Sequence, residues 1–203
     1  MSSIIDRIET AIARGVLVQL HRSRIVSDMS WWNGYVHKVS PELVLLQPLS
    51  DRLDLDGYSI LRIADISHFA VDYPRQEFHL HALAAKRICC RPPAPVDLSS
   101  MESALRSIEA TYPLFVVHRE IEDPEVCEVG RLKFSTSESY TLCTMSPEAR
   151  WVDDPRHYLF SSITSSQASR GSTSTRSTRT HWRSSLGSLA SWARAPAPIN
   201  LNA

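Results

Sequence analysis

No apolar run in this 203-residue chain approaches the roughly 20 residues a helix needs to cross a bilayer. The opening Met1-Ser2-Ser3-Ile4-Ile5-Asp6 has no basic stretch followed by an apolar one, so no secretory leader is expected. Cysteine is scarce: Cys89 and Cys90 are adjacent, Cys127 and Cys143 stand alone, and no C-x-x-C pair occurs. Without an export route these read as reduced thiols in a cytoplasm rather than as disulfide partners. A Walker loop, G-x-G-x-x-G, a G-x-S-x-G nucleophile elbow and H-E-x-x-H are all missing. Ser, His and acids are plentiful, but no spacing links them into a triad. These absences argue against a membrane protein, a disulfide scaffold and the motif-bearing enzyme classes.

Acidic residues are missing from 165–203, a stretch with five Arg and 14 Ser or Thr among its 39 residues. The overall charge of zero therefore hides a net of −5 over residues 1–164, where 17 basic side chains meet 22 acidic ones. A body of that sign lacks the broad positive field by which non-specific nucleic-acid binders collect phosphate. The tail is too polar to offset its ordering entropy by burial, and disorder is expected there. Its run Gly171–Thr180 also has the texture of a shifted reading frame in a G+C-rich gene, with Trp182, Leu186, Leu189 and Trp192 as stranded apolar residues.

What is present is a pattern written twice. Ser3 precedes Ile4, Ile5, Ile8 and Ile12, spaced for one helix face, with Asp6 as cap partner and Gly15 as the stop. Extended stretches follow at 16–21, 31–38 around Gly34, 43–47, 58–63 and 66–71. Ser99-Ser100-Met101-Glu102 opens a second helix with apolar face Met101, Leu105, Ile108 and Tyr112, ended by Pro113. Stretches at 114–118, 128–134 around Gly130, 140–144, 157–160 and 163–164 come next. His21-Arg22 matches His118-Arg119, Gly34 matches Gly130 and Ile66-Ser67 matches Ile163-Thr164, all at offsets of 96 or 97. Residues 74–97, with Pro74 and Pro92-Pro93-Ala94-Pro95, read as a stiff extended linker.

A helix followed by five short strands, the second bearing a glycine, resembles the Sm-like barrel of Sm, LSm and bacterial Hfq proteins. The closest stretch runs from Gly34-Tyr35-Val36 through Leu43-Val44-Leu45-Leu46 to Ile63-Ala64-Asp65-Ile66-Ser67. The resemblance implies barrels that pair edge to edge into rings and bind RNA through two loops. Both loops depart from that family: Val39-Ser40-Pro41-Glu42 lacks its Asp and Asn, and Arg62-Ile63-Ala64-Asp65 keeps an arginine but adds an acid. Any other small five-stranded barrel, or a pair of α+β domains, would fit the same pattern. The expected architecture is mainly β with helices: a barrel over 1–73, a linker over 74–97, a second barrel over 98–164 lacking its closing strand, and the tail 165–203.

His21-Arg22 and His118-Arg119 are the polar pairs to weigh. An Arg beside a His can grip an anion; equally, Arg pairs with acids such as Glu120 and Glu122 while His caps the barrel. In a strand, Trp31 and Trp32 send one ring inward and one outward. Asp54-Leu55-Asp56-Gly57 fails as a calcium loop, because Arg52 and Ile63 would occupy ligand positions. His79 and His81, alternating as on one face of a strand, and Cys89 and Cys90 offer four zinc ligands. Adjacent cysteines suit a tetrahedral site poorly, so neither metal nor cofactor is expected. The reading is a non-catalytic binding or scaffolding protein whose partner is protein, through self-association or another chain. The alternative is an RNA-binding regulator using Arg22, Arg62 and Arg119.

Overall fold

The computed structural model describes residues 3–25, 31–91, 95–152 and 155–168. The expectations for 169–203, including disorder and a shifted reading frame, lie outside these residues. Helix α1 (Ile4–Arg14) begins where the Ser3 hydroxyl accepts from the Asp6 N–H at 3.1 Å and the Asp6 carboxylate accepts from the Ser3 N–H at 2.8 Å. It ends at Gly15, whose φ of 60° belongs to the left-handed region. Strands β1 (Leu17–His21), β2 (Trp32–Val39), β3 (Leu43–Pro48), β4 (Tyr58–Arg62) and β5 (His68–Ala70) follow. Helices α2 (Gln76–Ala85) and α3 (Met101–Glu109) lead into β6 (Phe115–His118), β7 (Cys127–Ser135), β8 (Ser139–Thr144), β9 (Arg156–Leu159) and β10 (Ser165–Ala168).

Among the described residues, ten strands form one open antiparallel sheet in the order β5-β1-β2-β3-β4-β10-β6-β7-β8-β9. The expectation of two closed Sm-like barrels is therefore corrected. Closure would need β4 to meet β5 within the first half, and β9 to meet β10 within the second. Instead β4 pairs with β10 in antiparallel register, Ser166 opposite Ile60, and the sheet continues across the join. The absent closing strand is corrected too. Ser165–Ala168 forms β10, hydrogen-bonded to β4 on one side and β6 on the other. Ser165, Ser166 and Ala168 are all buried, and their small side chains fit this central position without an apolar alternation.

The second five strands lie in the order of the first five, and their geometry agrees in detail. A Cβ on Gly34 would stand 2.3 Å from the Gln47 carbonyl oxygen, and one on Gly130 would stand 2.3 Å from that of Cys143. Only glycine allows the neighbouring strand so close. Each of these strands then shifts register two residues on, between Val36 and Lys38 and between Leu132 and Phe134.

Leu43–Leu46 is apolar at every position because β3 is covered on both faces. Val44 and Leu46 belong to a core with Ile8 and Ala11 of α1, while Leu43 and Leu45 belong to a second core with Leu105 and Ile108 of α3. That second core runs across the join, combining Tyr58 and Ile60 of β4 with Phe115, Tyr140 and Leu142. The linker expectation is corrected in part: residues 76–85 are helical, and His79 and His81 sit on α2 instead of a strand. Gln, Glu, Leu and Ala are good helix formers, and they outweigh the alternating His-Leu-His. Among the described residues no helix is long and apolar enough to cross a membrane.

Candidate functional site

The join places two of the three sequence-selected arginines. Arg22, just beyond β1, is fully buried, and its two terminal nitrogens donate to the two carboxylate oxygens of Glu120, each at 2.9 Å. Thr164 also donates to this carboxylate, at 2.7 Å, and the Arg22 guanidinium lies 5.1 Å from the Trp32 ring centroid. Arg62, at the end of β4, donates to the backbone carbonyls of Ile163 at 2.7 Å and Phe160 at 2.6 Å. Arg119 stays within its own half, donating to Glu122 at 2.8 Å and lying 4.1 Å from the centroid of the Tyr158 ring. Each guanidinium thus has a partner inside the protein.

Asp65 completes this charged group. Its carboxyl is buried, with Oδ2 lacking a hydrogen-bond partner among the described residues. Burial pushes its pKa up; Arg22, Arg62 and Arg24 pull the other way, and Glu120 adds to the rise. Burial prevails, so this carboxyl is readier to hold a proton than an exposed one.

A different arrangement faces solvent. Trp32 is in the α1 core, whereas Trp31 is 43% exposed. The Trp31 ring sits between two imidazoles, 4.9 Å from that of His21 and 5.0 Å from that of His68. Register brings them together, because His21 and His68 are opposite one another on β1 and β5. His68 was not selected from the sequence; that register, invisible in spacing, places it here. His118, the counterpart of His21, stands opposite Cys127 and Ser165.

The four suggested metal ligands do not converge. His79 is buried, with Nδ1 2.9 Å from the Tyr73 hydroxyl, while Cys89 and Cys90 are exposed beyond the helix. No cluster of three or more potential ligands exists among the described residues. Cys90 instead lies with its sulfur 3.6 Å from Nε2 of His37, which is also 3.3 Å from the Gln47 side-chain oxygen. Burial, with Cys89 beside it, raises the Cys90 thiol pKa, and burial lowers that of His37. Both shifts favour a neutral thiol beside a neutral imidazole. An activated nucleophile requires the opposite, thiolate beside imidazolium. Comparison with family models, curated proteins and solved structures finds no match to this chain.

Proposed function

We propose that this chain is a non-catalytic binding or scaffolding protein that contacts another protein chain through the His21–Trp31–His68 face. The observation carrying this reading is the exposed Trp31 ring held between two imidazoles. Tryptophan combines a large apolar area with few rotatable bonds, which is why it recurs among residues that dominate protein interfaces. The flanking rings limit its rotamers before any partner arrives, reducing the ordering cost of binding.

The RNA reading rests on Arg22, Arg62 and Arg119. Arg22 is buried on Glu120, Arg62 holds two carbonyls and Arg119 pairs with Glu122. None offers a guanidinium to phosphate without breaking an internal contact. The test compares wild type, Trp31→Ala and His68→Ala as bait, with circular dichroism confirming that each is folded. A partner retained by wild type and lost by both variants is the expected result; partners indifferent to both substitutions refute the reading. Single-stranded RNA is assayed in parallel, and binding that collapses as salt rises would favour the alternative.

A further inference from the structure

We infer that neither outer edge of the sheet is built to pair with a further copy of this chain, β5 because it is blocked and β9 because it lacks the residues of the join, so that the register joining the two halves is used once and not repeated between molecules. The strand order puts β9 where the first half has β4, and β5 where the second half has β10. A head-to-tail contact between two chains would therefore set β9 of one against β5 of the other. The internal join shows what that contact requires, and both ends lack it.

Four features hold the join. Ser166 pairs with Ile60 in the β4–β10 ladder, Arg62 reaches over to the carbonyls of Ile163 and Phe160, Arg22 pairs with Glu120, and α3 shares a core with Leu43, Leu45 and Ile60. At the β9 end, Leu159 stands where Arg62 stands, and a leucine cannot donate to a carbonyl. Ser139, Thr141 and His157 stand in place of Leu43, Leu45 and Ile60. Where the join has three buried apolar side chains, this face carries Ser139, Thr141 and His157 beside the exposed Leu159, with the Thr141 hydroxyl 2.7 Å from Nδ1 of His157. The ion pair is not reproduced either: Ser23 is the counterpart of Glu120.

The β5 end carries an active block. Asn33 accepts from the Leu49 N–H, so before the register shift the odd-numbered residues of β2 turn their peptide groups toward β3 and the even-numbered ones, Trp32 among them, toward β1. Leu20, opposite Trp32, consequently bonds toward β2, and Phe69, its partner on the other side, turns its peptide group to the open edge. There Arg7 of α1 donates to the Phe69 carbonyl and lays its guanidinium 5.7 Å from the Phe69 ring centroid. The acceptor that an incoming strand needs is already taken. In α3 the equivalent residue is Ala104, fully buried in the core that crosses the join. A charged side chain covering a strand edge is a known means of preventing edge-to-edge growth.

The test is native mass, measured by sedimentation over a hundred-fold range of concentration. Wild type should keep the mass of one chain, 22.9 kDa, throughout. The triple variant Arg7→Ala, His157→Ile, Leu159→Arg removes the block at β5 and gives β9 the residues that stand at Ile60 and Arg62 in the join. All three positions are exposed, so folding is expected to survive, and circular dichroism checks it. That variant should gain mass with concentration, and adding His157→Pro in place of His157→Ile, which removes an outward N–H from β9, should abolish the gain. A wild type that forms oligomers dissolved by His157→Pro, or a folded triple variant that stays a single chain, would overturn the inference.

Discussion

Arg22 and Glu120 form a bidentate ion pair across the two halves, with both N–O distances at 2.9 Å and the arginine side chain fully out of water. Removing one partner of a buried ion pair costs about 3–5 kcal/mol, whereas replacing both with apolar groups of similar volume is often neutral. Glu120→Leu and Arg22→Met should each lower the unfolding free energy by that order, and the double variant should recover most of the loss. Urea denaturation of all four proteins yields the coupling energy. A double variant as unstable as the sum of the singles would mean that the pair contributes no specific interaction.

The close approaches at Gly34 and Gly130 make a second prediction. An added methyl would meet backbone oxygen, not a movable side chain, at 2.3 Å in each case. The strands must separate, so Gly34→Ala and Gly130→Ala should each cost about 2–4 kcal/mol, the range of overpacking and strain. Gly15→Ala differs in kind, because its Cβ would meet nothing and only the positive φ opposes it. Its cost should be about 1 kcal/mol. Thermal melts of the three variants give the ranking, and a Gly15→Ala loss equal to the others would contradict the steric account.

These glycines were legible in the sequence because their demand is local and steric, and so was the Ser3–Asp6 cap. Other features are set at long range. Arg22 and Glu120 are 98 positions apart, and sequence spacing suggested Glu120 for Arg119 instead. Whether β4 closes onto its own β5 or extends to another strand depends on register, which the alternation of Tyr58–Arg62 does not encode. Ser165-Ser166-Gln167-Ala168 has the composition of a loop, yet pairing on both sides and cover by packed residues make it a central strand. The continuous run Leu43–Leu46 did carry a signal of burial on two faces, and the helix lying over the second face was the missing layer. The His21–Trp31–His68 group was half visible, since the tryptophan pair predicts one exposed ring but not the imidazole opposite.

The Cys90–His37 contact predicts slow thiol chemistry at neutral pH. Only the thiolate attacks alkylating reagents, and burial keeps the Cys90 thiol protonated above the ordinary range. Iodoacetamide should therefore label Cys90 more slowly than a free cysteine at pH 7, with the rate rising into alkaline pH. Site-resolved mass spectrometry reads this directly. A rate at pH 7 above that of free cysteine would indicate a thiolate–imidazolium pair and reopen a nucleophilic role.

Asp65 gives the sharpest pH test, because two forces on it oppose one another. The arginines 22, 62 and 24 favour its carboxylate; burial and Glu120 favour the protonated acid, and burial is the largest influence. A carboxyl whose folded pKa lies above its ordinary value of 3.8 takes up protons more readily folded than unfolded. Its contribution to stability is complete below the unfolded pKa and is lost as pH rises through the folded one. Asp65→Asn keeps the shape and removes the ionisation. The stability of the variant relative to wild type should be lowest near pH 4 and should improve as pH rises to 7. Taking the difference cancels groups common to both proteins, including His37 and His79, whose pKa values burial lowers, and Glu109, whose pKa burial raises. Urea unfolding at half-unit steps between pH 4 and 7 measures it. If the variant instead loses ground as pH rises, the three arginines outweigh desolvation, and Asp65 acts as a paired carboxylate of the join.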